Sequence, residues 1–168
     1  MFEQFAIIID FPNYAISTYG HVLNTKTGRI LKPSIDTHGY YKVILCNNKK
    51  KTIKRIHKLV CNTFLDNIYN KKCVDHIDRN RKNNNITNLR HVTPSENKKN
   101  SSIYKNNTST CPGVFFIKSN NKWLVKISIN KKLKHIGSYD NFNDAVISRK
   151  FQEELHYKEY APFIELIY

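Results

Sequence analysis

V-D-H-I-D-R-N-R-K-N-N-N-I-T-N-L-R-H-V-T-P-S-E-N-K-K-N, residues 74–100, is the stretch around which the chain is organised. It holds the densest set of groups able to bind a metal, accept a proton and meet phosphate. Cys73–His76 reads as a short strand ending in two functional groups, and Leu89–Val92 as a second short strand. The polar run 78–87 between them is a loop. Thr93-Pro94-Ser95-Glu96 opens a helix: threonine as N-cap, proline at the first helical position, and glutamate three residues after the cap. Asn97 then projects from the first turn of a rigid element. The stretch is strand, long loop, strand, helix.

Upstream, the sequence reads as short strands. Residues 14–17 and 21–24 are broken at Gly20, and Thr25-Lys26-Thr27-Gly28 is a turn. Residues 40–45 and 52–56 flank Asn47-Asn48-Lys49-Lys50, a hairpin loop. The second arm concentrates Lys49, Lys50, Lys51, Lys54, Arg55 and Lys58. Such a ribbon is suited to run along phosphates, although lysines that protect an edge strand would look similar. Residues 57–64 read as a helix with Leu59, Val60, Thr63 and Phe64 on one side. His57 at its start could serve a site, but a structural role is the simpler reading.

Downstream, residues 101–110 read as a linker. Beyond it, Val114–Ile117, 123–129 and 133–139 read as three strands, with Trp123 on the core side of the second. A helix over 143–157 carries Ile147, Ser148, Phe151 and Leu155 in one stripe of roughly 100°. Three antiparallel strands packed on one helix make a compact α+β module.

The 168 residues carry 28 Lys+Arg against 13 Asp+Glu, a net +15. Residues 47–105 hold 15 basic and 4 acidic residues, a net +11, so the excess surrounds the central stretch. That favours a polyanionic partner, nucleic acid before membrane. Cys46, Cys61, Cys73 and Cys111 contain no C-x-x-C pair and read as free thiols of an intracellular protein that is not secreted. The Ile7-Ile8-Ile9 run is too short to span a bilayer.

Phosphodiester hydrolysis needs an activated water, neutralised phosphate charge and a stabilised leaving oxygen. A divalent cation supplies the last two and a neutral imidazole the first. Mg²⁺ takes oxygen ligands and often only one or two from protein. Asp75 and Asn97 offer two such oxygens, and His76 is the natural base. Asn88 stands where it could fix the loop and orient the imidazole. Adjacent strand residues point to opposite faces, so Asp75 and His76 serve one site only if the strand ends or twists there. The plain alternative is a structural Asp-His pair in an asparagine-rich loop.

D-H-I-D-x-N-x-x-N-N, followed by N-L and T-x-x-E-N, resembles the HNH family of ββα-metal nucleases, in particular its phage and intron homing endonucleases. Y-A-I-S-T-Y-G-H-V-L-N with G-R-I-L-K-P resembles the N-terminal module that accompanies that branch. R-I-H-K-L-V-C-N-T-F resembles the helix before its nuclease motif. The likeness covers roughly residues 10–100. By position it implies His76 as general base, Asp75 and Asn97 as metal ligands, and Asn88 as the motif's central asparagine. Many HNH enzymes have histidine where Asn97 stands; asparagine there matches the single-metal homing branch. P-G-V, K-W-L-V-K-I, H-I-G-S-Y-D and the helix at Ala145 resemble the plant ethylene-response-factor (AP2-type) DNA-binding domain. Phe115, Ile117 and Ser128 stand where that family reads guanine with arginine, leaving Lys126 and His135 as candidate contacts.

The expected fold class is α+β: a small β-rich N-terminal module over 1–56, a ββα-metal nuclease core over 57–100, the linker 101–110, and an ethylene-response-factor-like domain over 111–168. The expected function is site-specific DNA cleavage dependent on one divalent ion, Mg²⁺ or alternatively Mn²⁺. Double-stranded DNA is the partner, no membrane or obligate protein partner is implied, and a monomer is the simplest state. Arg79, Arg81 and Lys82 join the basic residues of 49–58 as phosphate contacts. The rival reading is a non-catalytic, sequence-specific DNA-binding or regulatory protein derived from a nuclease.

Overall fold

The computed structural model describes residues 2–100 and 109–162, so all but two residues of the expected 101–110 linker lie outside the described residues. The chain forms two compact units, Met1–Asn97 and Lys98–Tyr168.

The first unit begins with a four-stranded antiparallel sheet in the order β1 (Phe5–Ile8), β2 (Phe11–Ser17), β3 (Val22–Asn24), β4 (Arg29–Ile30). Gly20, at φ +89°, lets the chain reverse between β2 and β3 where a side chain would be strained. A second sheet holds β5 (Ser34–Ile35), β6 (Tyr41–Asn47) and β7 (Lys50–Arg55). Asn48 and Lys49 both have positive φ, so they form a two-residue hairpin turn whose twist matches the strands it joins. Helix α1 (Ile56–Phe64) follows β7 directly and buries Ile56, His57, Leu59, Val60 and Cys61. A short antiparallel pair, β8 (Cys73–His76) and β9 (Leu89–Val92), leads into α2 (Pro94–Lys99).

One apolar core joins these parts. Ile16 and Val22 from the first sheet, Leu45 from the second, Val60 from α1 and Leu89 from β9 belong to the same buried cluster. The central stretch is therefore anchored on the N-terminal strands, and the core does not stop at residue 56. Cys61 is fully buried within it, and burial pushes its thiol up to about 12. All four cysteines are free thiols.

The second unit is a three-stranded antiparallel sheet, β10 (Val114–Ile117), β11 (Lys122–Ile129) and β12 (Lys132–Tyr139), packed on α3 (Phe142–Tyr157). Trp123 lies in its core between Phe116 and Phe142, with ring centroids 5.0 and 4.8 Å away. The helix is rotated away from the face its apolar stripe suggests. Ile147, Phe151 and Leu155 are exposed, whereas Ala145, Arg149, Glu153 and Tyr157 are buried. Polar bonds fix that rotation. Arg149 donates to the Lys126 carbonyl at 2.8 Å and to Glu153 at 2.8 Å, and Tyr157 donates to the Ser128 carbonyl at 3.2 Å. Ala145 permits the close approach. Among the described residues, no helix is long and apolar enough to cross a membrane.

Candidate active site

Strand β8 ends at His76, and a turn closed by Arg79 N–H donating to the His76 carbonyl at 2.9 Å takes the chain away. Arg79 adopts φ +62° to complete that turn. Asp75 and His76 are both buried, at 8% and 4% exposure. The strand ends at His76, and each of the two side chains meets its own partners. Arg90, across the ladder from Asp75, donates to Asp75 Oδ2 from Nε at 3.0 Å and Nη2 at 2.7 Å. His76 Nε2 lies 3.2 Å from Asn84 Oδ1.

The His76 ring sits in an aromatic pocket. Its centroid is 5.1 Å from that of His57, edge to face, and 5.8 Å from that of Tyr40. Tyr40 is flanked by the Arg55 and Arg81 guanidinium groups at 4.8 and 5.1 Å. Burial lowers the His76 pKa below the usual histidine value, opposed by the Asn84 hydrogen bond and the charges of Asp78 and Asp75. His57 is held at about 3 by burial first, then by the neighbouring His76, Arg55 and Lys58. Among the described residues its Nδ1 is buried without a hydrogen-bond partner. Both rings are neutral near pH 7, the state in which an imidazole accepts a proton.

Asn88 fixes the loop. Its side chain accepts from Asp78 N–H at 3.0 Å and donates to Asp78 Oδ1 at 2.8 Å and to the Asn83 carbonyl at 2.9 Å. Its carbonyl accepts from Ile77 N–H at 2.9 Å. Burial raises the Asp78 pKa, but hydrogen bonds from Asn83, Asn88 and the Asn80 backbone outweigh it and hold the carboxyl below its ordinary value. These side-chain bonds of Asn88 run to the loop, whereas the bond to the imidazole comes from Asn84.

Helix α2 carries the expected capping box: Thr93 Oγ1 accepts from Glu96 N–H at 3.2 Å, and Glu96 accepts from Thr93 N–H at 2.7 Å. Lys71 ties Glu96 down at 3.1 Å. Asn97 is exposed on this helix, which follows β9, the partner strand of β8. Among the described residues no three His, Cys, Asp or Glu side chains gather to encage a metal. A carboxylate and a side-chain amide are hard oxygen donors, and their chemistry fits a cation that keeps most of its water.

The basic residues divide into two kinds. Lys49, Lys50, Lys51, Lys58, Arg81 and Lys82 are exposed. Arg55 instead bonds Asp36 at 2.6 Å, Lys54 lies 5.3 Å over the Phe11 ring, and Arg81 also donates to the His38 carbonyl at 2.7 Å. A groove of about 740 Å³ is lined by Lys42, Lys54, Arg55 and Lys58 among others. In the second unit, Lys126 and His135 are cross-strand partners.

The site is thus a ββα arrangement with a buried histidine at a strand end, a carboxylate beside it and an asparagine-pinned loop. Residues 54–99 match the HNH endonuclease family, and residues 3–46 match the NUMOD4 motif. An uncharacterized HNH endonuclease of Acanthamoeba polyphaga mimivirus is 46% identical over 86 residues, covering 51% of this chain and 26% of that protein. The H-N-H endonuclease F-TflII of Escherichia phage T5 is 30% identical over 115 residues, covering 66% and 60% respectively. The DNA endonuclease I-HmuI of Bacillus phage SP01 is 36% identical over 88 residues, covering 52% and 51%. This chain thus spans from about a quarter to three fifths of the length of these relatives. The solved structure "DNA binding and cleavage by the HNH homing endonuclease I-HmuI" superposes with a TM-score of 0.55 at 27% identity, covering 79% of this chain and 77% of that one. The chain carries an HNH endonuclease region with a NUMOD4 motif in front of it, on the fold of an HNH homing endonuclease.

Sequence reading placed His76, Asp75, Asn88 and Asn97 in one stretch. Asn84, Arg90 and Tyr40 carry no such signal, and His57, open in the sequence between a site role and the simpler structural one, has its ring against His76. Asn84 stands in a run of three asparagines and carries no signal of its own. Arg90 was legible only through the register of β8 with β9, which sets it opposite Asp75.

Proposed function

We propose that the protein is a site-specific, metal-dependent DNA endonuclease of the homing type. The observation that carries this is the His76 ring, buried and fixed at the end of β8, next to a carboxylate on the same strand. His76 takes a proton from water as the water oxygen bonds to phosphorus. The bond to the 3′ oxygen breaks, and that oxygen leaves as a hydroxyl after protonation from solvent. Asp75 and Asn97 would hold one divalent cation, Mg²⁺ or alternatively Mn²⁺, both of which take oxygen donors; when bound it supplies charge neutralisation at the phosphate and the leaving oxygen. Asn88 keeps the loop closed behind the base.

Exposed Lys49, Lys50, Lys51, Lys58, Arg81 and Lys82 would meet phosphates along one duplex, and Arg79 would join them. Lys54 and Arg55 would contribute mainly by shaping the basic groove. In the second unit, Lys126 and His135 would face DNA from an ethylene-response-factor-like sheet over 111–168, joined by the linker to the nuclease core of 57–100 and the N-terminal module of 1–56. One catalytic site per chain makes a monomer that nicks the simplest working unit. The test is incubation of purified protein with A/T-rich genomic DNA, with Mg²⁺ and with a chelator. Cleavage only with the metal supports the proposal; binding without cleavage under either condition supports the non-catalytic rival.

A further inference from the structure

Asn84 is 5% exposed, and its two ends are both engaged. Oδ1 faces His76 Nε2 at 3.2 Å, while Nδ2 donates to the Lys82 carbonyl at 3.3 Å. The second bond orients the amide so that oxygen, not nitrogen, meets the ring. An acceptor at Nε2 selects the neutral tautomer with its proton there and places the basic lone pair on Nδ1.

The backing of Asn84 comes from the turn between β2 and β3. A Cβ on Gly20 would lie 2.8 Å from Asn84 Cβ and 3.0 Å from Ile56 Cγ2, so glycine is needed for space as well as for its φ of +89°. Two residues beyond Asn84, Ile86 N–H donates to the Thr18 carbonyl at 2.8 Å. The turn itself is held by fully buried Ser17, whose Oγ accepts from Tyr19 and His21 N–H at 3.2 and 2.9 Å. The N-terminal sheet therefore clamps the loop at Asn84 and again at Ile86.

We infer that Asn84 is the positioning residue of His76, and that the turn over residues 17–21 sets Asn84 in place. The N-terminal sheet then acts on the chemical step and not on DNA holding alone. This rests on the reading of His76 as the proton acceptor.

The test compares full-length wild type, Asn84→Ala, Asn84→Asp, Gly20→Ala and His76→Ala. Three quantities are measured: the single-turnover cleavage rate on an A/T-rich plasmid with Mg²⁺, affinity for the same DNA without divalent metal, and the His76 tautomer by ¹⁵N NMR. Asn84→Ala is expected to slow cleavage about 10–100-fold while affinity stays within about twofold, the signature of a lost transition-state interaction. Its His76 signal shifts from the Nε2–H form toward a mixture. Asn84→Asp keeps an oxygen facing the ring, restores most of the rate and retains the Nε2–H form. Gly20→Ala reproduces the rate loss. Wild-type rate and tautomer in Asn84→Ala, or an Asn84→Asp variant as impaired as Asn84→Ala, would overturn the inference. Should wild type and His76→Ala cut DNA equally, the function reading itself fails, and the tautomer measurement still decides whether Asn84 orients the ring.

Discussion

Arg90 stands opposite Asp75 across the β8–β9 ladder and closes on one carboxylate oxygen with two nitrogens, at 3.0 and 2.7 Å. Side-chain exposures of 16% and 9% make this a largely buried pair. Removing one partner of such a pair costs more than the pair contributes, because the remaining charge loses its solvation without compensation. Arg90→Met is expected to lower the unfolding free energy by about 3–5 kcal/mol in urea titrations without divalent metal. Mg²⁺ should then stabilise the variant more than the wild type, by replacing the missing positive charge. An equal response of both proteins to Mg²⁺ would argue against Asp75 as a ligand.

Acid should loosen the protein from neutrality downward. The folded His57 pKa of about 3 lies below the ordinary histidine value near 6.5 of the unfolded chain. Between those values the unfolded state binds the proton and the folded state does not, so stability is full above pH 6.5 and falls as pH drops toward 3. His76, lowered in the same direction, adds to the slope. Asp36, held at about 2 by Tyr40, His38 and Arg55 against the opposing effect of burial, extends the loss below the ordinary carboxylate range. The urea midpoint should therefore drop between pH 7 and pH 5 in wild type and drop less in His57→Leu. A midpoint constant over that interval in wild type contradicts the buried, neutral pair.

Lysines and arginines of the β6–β7 ribbon should separate by function. Lys51 is exposed, whereas Arg55 is bonded to Asp36. If Lys51 meets a phosphate, Lys51→Ala reduces the slope of log affinity against log salt by about 0.9 and leaves the melting temperature unchanged. Arg55→Ala lowers the melting temperature, since it removes the cation that holds Asp36. Equal salt slopes for Lys51→Ala and wild type would take the ribbon off the DNA.

Helix α3 offers a sharp contrast between pattern and packing. Phe151→Ser falls on the exposed side and is expected to change stability by no more than about 0.5 kcal/mol. Glu153→Ala breaks the buried pair with Arg149 and is expected to cost about 3–5 kcal/mol. Chemical denaturation of the two variants checks both. The reverse order would restore the apolar stripe as the packed face.

That helix also shows where sequence stops informing. Its limits were legible from periodicity, but its rotation was not. Arg149 reaches the Lys126 carbonyl 23 residues away in sequence, and no local pattern carries such a bond. The capping box at Thr93 and Glu96 was legible because it is local: cap, proline and glutamate lie within four consecutive residues. The candidate base and its neighbouring carboxylate were legible as a motif. Their partners Asn84 and Arg90 were not, because one depends on loop closure against the Gly20 turn and the other on strand register.

The central claim is that His76 accepts the proton in DNA cleavage, and a rate-against-affinity measurement on His76→Ala tests it most directly. Single-turnover cleavage of plasmid DNA with Mg²⁺ should fall by at least about 10²-fold, while affinity for the same DNA without metal stays close to wild type. Cleavage by His76→Ala at the wild-type rate would contradict the account.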